Sequence, residues 1–261
     1  MARTTENGRR TWRRRWSALA ALLAGAAVGT TAVIAAVDRP QHLSEQVIVA
    51  HGSDNLPNRT ATDWVTYADH VLAVTAVNET ESPPTDTEVE RGEGLIARKV
   101  TLRVDRVVWS RDDAPTPAPA QWQRTSVGWQ FTDGDTDNRM KMVRADSPRV
   151  ETGHSYLMAV YWQPDACLPV GGEWLGLGEG ATVPYDDDTI GVGEYEGKVR
   201  SAQQAVRQAR TAAAADGGTA LEDALAGRDA SAVAAVLGTA QPVERVAYDD
   251  PAPAGLTAVC D

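Results

Sequence analysis

Three consecutive aspartates, Asp186, Asp187 and Asp188, stand between the apolar stretches ATVPY and TIGV, where chemistry could sit. A calcium ion takes roughly six to eight oxygens around one point, and Glu179, Glu194 and Glu196 could add theirs. Aspartate is also favoured in tight turns, because its carboxylate bonds nearby backbone N–H groups and it tolerates left-handed backbone. A hairpin turn is the default expectation for the triplet, with a calcium site as the alternative. In DGDTDN, Asp133, Asp135 and Asp137 fill the first, third and fifth places of a calcium loop. Asn138 then stands where glycine is needed and Arg144 where the closing glutamate is needed, so a polar turn is expected there.

Other chemistry is poorly supplied. His42, His51, His70 and His154 show no zinc-ligand spacing. There is no GxSxG elbow, and GLGEG falls short of a dinucleotide fingerprint. The chain reads as non-enzymatic. Its eight tryptophans against one phenylalanine point instead to recognition. Trp122 follows the proline-rich RDDAPTPAPAQ and Trp174 lies among glycines, so these two are the expected exposed anchors of a binding surface.

What positions these residues begins with RRTWRRRW, followed by an uncharged run from Ser17 to Val37, long enough for a transmembrane helix. The flanking arginines orient it with the rest of the chain outside. The expectation is a single-pass signal-anchor in the cell membrane with an extracellular C-terminal domain. Residues 1–37 carry six arginines against Glu6, so the remainder of this −11 chain carries about −16. A surface of that sign repels nucleic acid. Cys167 and Cys260 are the two cysteines. A disulfide between them would close a loop of about 90 residues, worth roughly 4–5 kcal/mol.

The organisation expected is a basic tail over 1–16, the anchor over 17–37, a spacer over 38–60, a β domain over 61–193, a helical segment over 194–240 and a tail over 241–261. HVLAVTAVN reads as a buried strand. In ARKVTLRVDRVVW, Val100, Leu102 and Val104 alternate with polar residues, and the phase then slips, which predicts a bulge near Arg106. TSVGWQF and Tyr156–Trp162 read as strands. Thr219 and Glu222 have the spacing of a helix capping box.

The runs YADHVLAVTAV, VTLRVDRVVWSR and ETGHSYLMAVYW resemble those of OB-fold barrels of the netrin/TIMP type. The features are Ala68-Asp69 leading a strand, the Arg/Val-rich Arg103–Trp109, and Gly153 turning into Tyr156-Leu157, across roughly residues 64–192. The resemblance implies a small closed β-barrel in a mainly β (α+β) chain with C-terminal helices. Inhibitors of that group grip a protease zinc through an N-terminal cysteine, and no cysteine precedes Cys167 here, so that mechanism is not implied. Residue usage resembles that of secreted and membrane-anchored actinobacterial proteins. The function expected is a non-catalytic, membrane-tethered module recognising a cell-surface or secreted protein. The alternatives are a modulator of a secreted enzyme and a hydrolase using dispersed carboxylates.

Overall fold

A strand buried on both faces needs apolar residues at consecutive positions rather than alternate ones, and VLAV supplies them. In the computed structural model, which describes residues 47–246 other than 53, 166, 169 and 217–219, this stretch opens β2 (His70–Ser82) at the middle of a sheet. Val71 and Ala73 face one core, and Leu72, Val74 and Ala76 face another.

On one side β2 pairs antiparallel with β3 (Gly94–Ser110), followed by β4 (Gln121–Thr132) and β5 (Asp135–Arg144). On the other it pairs with β6 (Ser155–Pro164). The far end of β6 carries β7 (Gly172–Gly176) and its near end β8 (Thr182–Pro184). At the opposite edge β1 (Val47–Ala50) lies parallel to β5, which places a strand inside the expected spacer. The order is β1-β5-β4-β3-β2-β6-β7, with β8 on β6. A separate ribbon joins β9 (Gly193–Tyr195) to β10 (Lys198–Arg200).

The outer core lies under helices. α1 (Ala61–Tyr67), α4 (Leu221–Leu225) and α5 (Ala230–Leu237) bring Trp64, Leu221, Leu225, Val233 and Leu237 onto Val71, Ala73, Leu157 and Ala159. The Thr60–Asp63 capping box sets the start of α1, and Trp64 Nε1 donates to Asn58 O at 2.7 Å. Two further helices, α2 (Asp86–Arg91) and α3 (Ala202–Asp216), follow β2 and β10. The expected box at Thr219 falls outside the described residues. Ala220 caps α4 without a side-chain bond, and Glu222 instead pairs with Arg200.

The inner core lies within the curl of the sheet. Trp122 from β4 and Trp174 from β7, far apart in strand order, both reach it. The curl follows from bulges, which raise local twist. The β2–β3 register slips at Val71/Leu72, Ala73/Val74 and Ala76/Asn78, the first two on either side of Arg106.

Two expectations are corrected here. The sheet curls but is no closed barrel: β4 approaches β7 without a ladder between them among the described residues. Side chains fill that seam, with Arg124 Nη1 donating to Thr182 Oγ1 at 3.3 Å. The second concerns the membrane. Among the described residues no helix is long and apolar enough to cross one. The longest, α3, has 15 residues, about 22 Å against a hydrocarbon core of about 30 Å. The segment Ser17–Val37 on which the anchor, the tether and the single-pass localisation rested lies outside the described residues, and the fold supports none of the three.

Candidate functional site

The seam where the barrel fails to close is lined by charge. Arg124 reaches it from β4, Arg144 from the end of β5, and Glu179 from the turn before β8. Arg144 Nη1 donates to Glu179 Oε1 at 3.0 Å, while Arg124 Nη2 lies 3.7 Å from the same oxygen. Ser147 Oγ donates to Glu179 Oε2 at 2.5 Å. Asp54 holds the backbone of Glu179, accepting its N–H at 3.0 Å, and also accepts Asn58 Nδ2 at 2.6 Å. This close approach explains Gly178, since a Cβ there would overlap Asn58 and Asp54. The segment after β1 is thereby locked against the turn that carries Glu179.

A cleft of about 270 Å³ opens beside these charges, walled by β3, β4 and β5. A bulge shapes it: Ile96 pairs with Trp129 and Ala97 with Val127, so Gly128 is skipped in the register. A Cβ at Gly128 would overlap Ile96 O. Two guanidiniums and one carboxylate line the cleft, and Arg144 also borders a neighbouring cavity that holds Asp54 and Asp146. Arg124 is 18% exposed. Burial holds its guanidinium below the ordinary arginine value, Glu179 offsets that in part, and Arg144 and Arg98 push it further down.

Behind the cleft lies a second polar layer. Arg149 Nη2 donates to Gly128 O and its Nε to Met142 O, both cleft residues. Glu151 joins Arg149 at 3.0 Å and Lys141 at 2.7 Å. Burial alone would raise the Glu151 carboxyl, but the hydrogen bonds and charges of Lys141 and Arg149 hold it below its ordinary value of 4.5. A depressed carboxylate stabilises the fold above its unfolded pKa, and that contribution is lost as pH falls through the folded value. Glu151→Gln is therefore expected to cost about 1 kcal/mol at neutral pH. The difference from the native chain should shrink below about pH 4.5, read as urea midpoints at several pH values. A difference that does not change with pH would contradict this.

The residues singled out by the sequence are placed elsewhere. Trp122 is 8% exposed and sits in the inner core. Trp174 is partly buried, with its ring 5.3 Å from Trp162 and 5.2 Å from His70. The expected exposed tryptophan surface is not there, because the curl folds both residues inward. Asp186–Asp188 form a tight turn in which Asp187 and Asp188 adopt left-handed backbone. Asp186 accepts Ser155 N at 2.8 Å and lies 2.5 Å from His154 Nδ1. Asp133 sits in the β4–β5 turn, where Asn138 Nδ2 donates to it. Among the described residues no group of three or more histidines, cysteines or carboxylates could hold a metal ion. Among the described residues the aspartates thus assemble no calcium site. Cys167 is disulfide-bonded, and Cys260 lies outside the described residues.

Sequence reasoning passed over Arg124, and took Glu179 only as a possible calcium ligand and Arg144 only as a misfit in a calcium loop, so it did not bring the three together. A signal existed for Arg124. In QWQRTSV, Arg124 has the parity of Trp122, so a charge stands in phase with a buried aromatic. No protein-family model, no curated protein and no solved structure matches the chain.

Proposed function

We propose that this domain binds a small anion, a carboxylate, in the seam cleft, with Arg124 as the group that pairs with it. The observation that carries the proposal is the poor pairing of that guanidinium. Among the described residues its side-chain hydrogen bonds go to a hydroxyl, Thr182 Oγ1 at 3.3 Å, and a thioether, Met158 Sδ at 3.9 Å. Its ion pair there, to Glu179, is long at 3.7 Å. A mostly buried cation without a close counter-charge costs several kcal/mol, and a ligand carboxylate would offset that cost through paired N–H donors. Two neighbouring hydroxyls are committed, Ser147 to Glu179 and Ser126 to Arg149 O.

The test is an amide-resolved NMR titration of the protein with acetate and with benzoate, using neutral benzamide as control. Saturable shifts at Arg124, Thr125 and Arg144 are expected with the carboxylates and not with the amide, and Arg124→Gln should abolish them. Equal response to benzoate and benzamide, or no saturable shift with either carboxylate, would remove the proposal.

A further inference from the structure

We infer that the ligand is a monocarboxylate with a flat apolar body, an aryl carboxylate whose ring lies along the β3–β4 wall of the cleft. This inference rests on the anion proposal above and narrows it.

The charge lining the cleft is confined to Arg124, Arg144 and Glu179. Leu95, Ile96, Val127, Met142 and Pro148 supply apolar lining, and Thr125 and Ser126 the hydroxyl residues. Leu95 is 51% exposed, a large apolar side chain left in water at the cleft, where a bound ring would cover it. Met142 and Pro148 extend the same wall, and a thioether makes favourable contact with an aromatic ring. The Trp129 ring itself packs against Arg139 and Arg149, at 4.5 Å and 5.0 Å.

Charge and size narrow the class further. Glu179 pairs closely with Arg144, at 3.0 Å, and only at 3.7 Å with Arg124, so a monoanion matches the guanidinium left without a close carboxylate. A phosphate dianion would bring a second negative charge against Glu179, already seated there. The volume of about 270 Å³ lies at or below the lower end of small-molecule sites, roughly 300 Å³. That accommodates one ring and its carboxylate.

Calorimetric titration of the full chain with acetate, benzoate, benzamide and inorganic phosphate tests this. Benzoate should bind at least about tenfold tighter than acetate. Leu95→Ser, at an exposed position, should weaken benzoate several-fold and leave acetate unchanged, with an unaltered thermal midpoint confirming the fold. Equal affinity for acetate and benzoate, or tighter binding of phosphate, would overturn the aryl assignment and leave the anion proposal standing. Benzamide binding as tightly as benzoate, or no binding by either carboxylate, would overturn both.

Discussion

Replacing Arg98 with methionine is expected to lower stability by about 3–5 kcal/mol, measured as a fall in urea midpoint at unchanged slope. The Arg98 side chain is fully buried, and its guanidinium is a hub. Nε donates to Val127 O at 2.9 Å, Nη2 to Arg149 O at 2.7 Å, and Nη1 to Glu79 at 2.5 Å and Val150 O at 3.4 Å. Methionine fills comparable space but leaves those three carbonyls without this donor, at about 1–3 kcal/mol for each that finds no other. Glu79 keeps 34% exposure and can rehydrate, so most of the loss comes from the carbonyls. Arg98→Lys should fall between, because an ammonium lacks the fork that reaches both Val127 and Arg149. A methionine variant within about 1 kcal/mol of the native chain would show that the hub is not what ties β3 and β4 to the 149–150 turn.

The second large effect is expected at Glu194, which is 1% exposed. Its Oε1 accepts Arg149 N at 3.0 Å and Gly197 N at 2.7 Å, and its Oε2 accepts Val150 N at 3.0 Å and Tyr156 O–H at 3.1 Å. Three of the four partners are backbone N–H donors, so glutamine is not conservative here: whichever oxygen becomes NH₂ faces at least one N–H that it cannot satisfy. Glu194→Gln should cost about 3 kcal/mol, and Tyr156→Phe, which removes one donor, about 1 kcal/mol. Burial, reinforced by the Glu194 charge, keeps the Tyr156 phenol protonated and donating well above its ordinary range. The carboxylate also holds Val150 at φ +60, costly for a β-branched residue. Hydrogen exchange should therefore speed up across 147–151 in Glu194→Gln. Arg149, which braces the cleft, lies in that stretch, so carboxylate affinity should fall as well. Unchanged exchange there would mean that other contacts fix the turn.

Both residues show how far one-dimensional pattern reaches. Arg98 shares parity with Val100, Leu102 and Val104 in ARKVTLRV, so its inward placement was legible. Its partners, up to 52 positions away, were not. Glu194 follows Gly193 and precedes Tyr195 with no alternation to place it. The carboxylate triplet behaved as local chemistry dictates, as a turn, because the preference of aspartate for such backbone needs no distant partner. The tryptophans misled for the converse reason: whether an aromatic is covered depends on which strands the sheet brings over it.

By itself the sequence determined the acidic surface, the continuous apolar run that makes β2 central, the period of two along β3 and the slip near Arg106. Each is set by interactions within a few residues. Tertiary structure alone decided whether the sheet closed, that β1 would lie parallel on β5, and that Arg124, Arg144 and Glu179 would meet at the seam. The physical reason is register. A period of two assigns faces only between bulges, and each bulge exchanges them. The slip near Arg106 left its mark in the local phase, whereas the bulge at Gly128 was settled by pairing between β3 and β4.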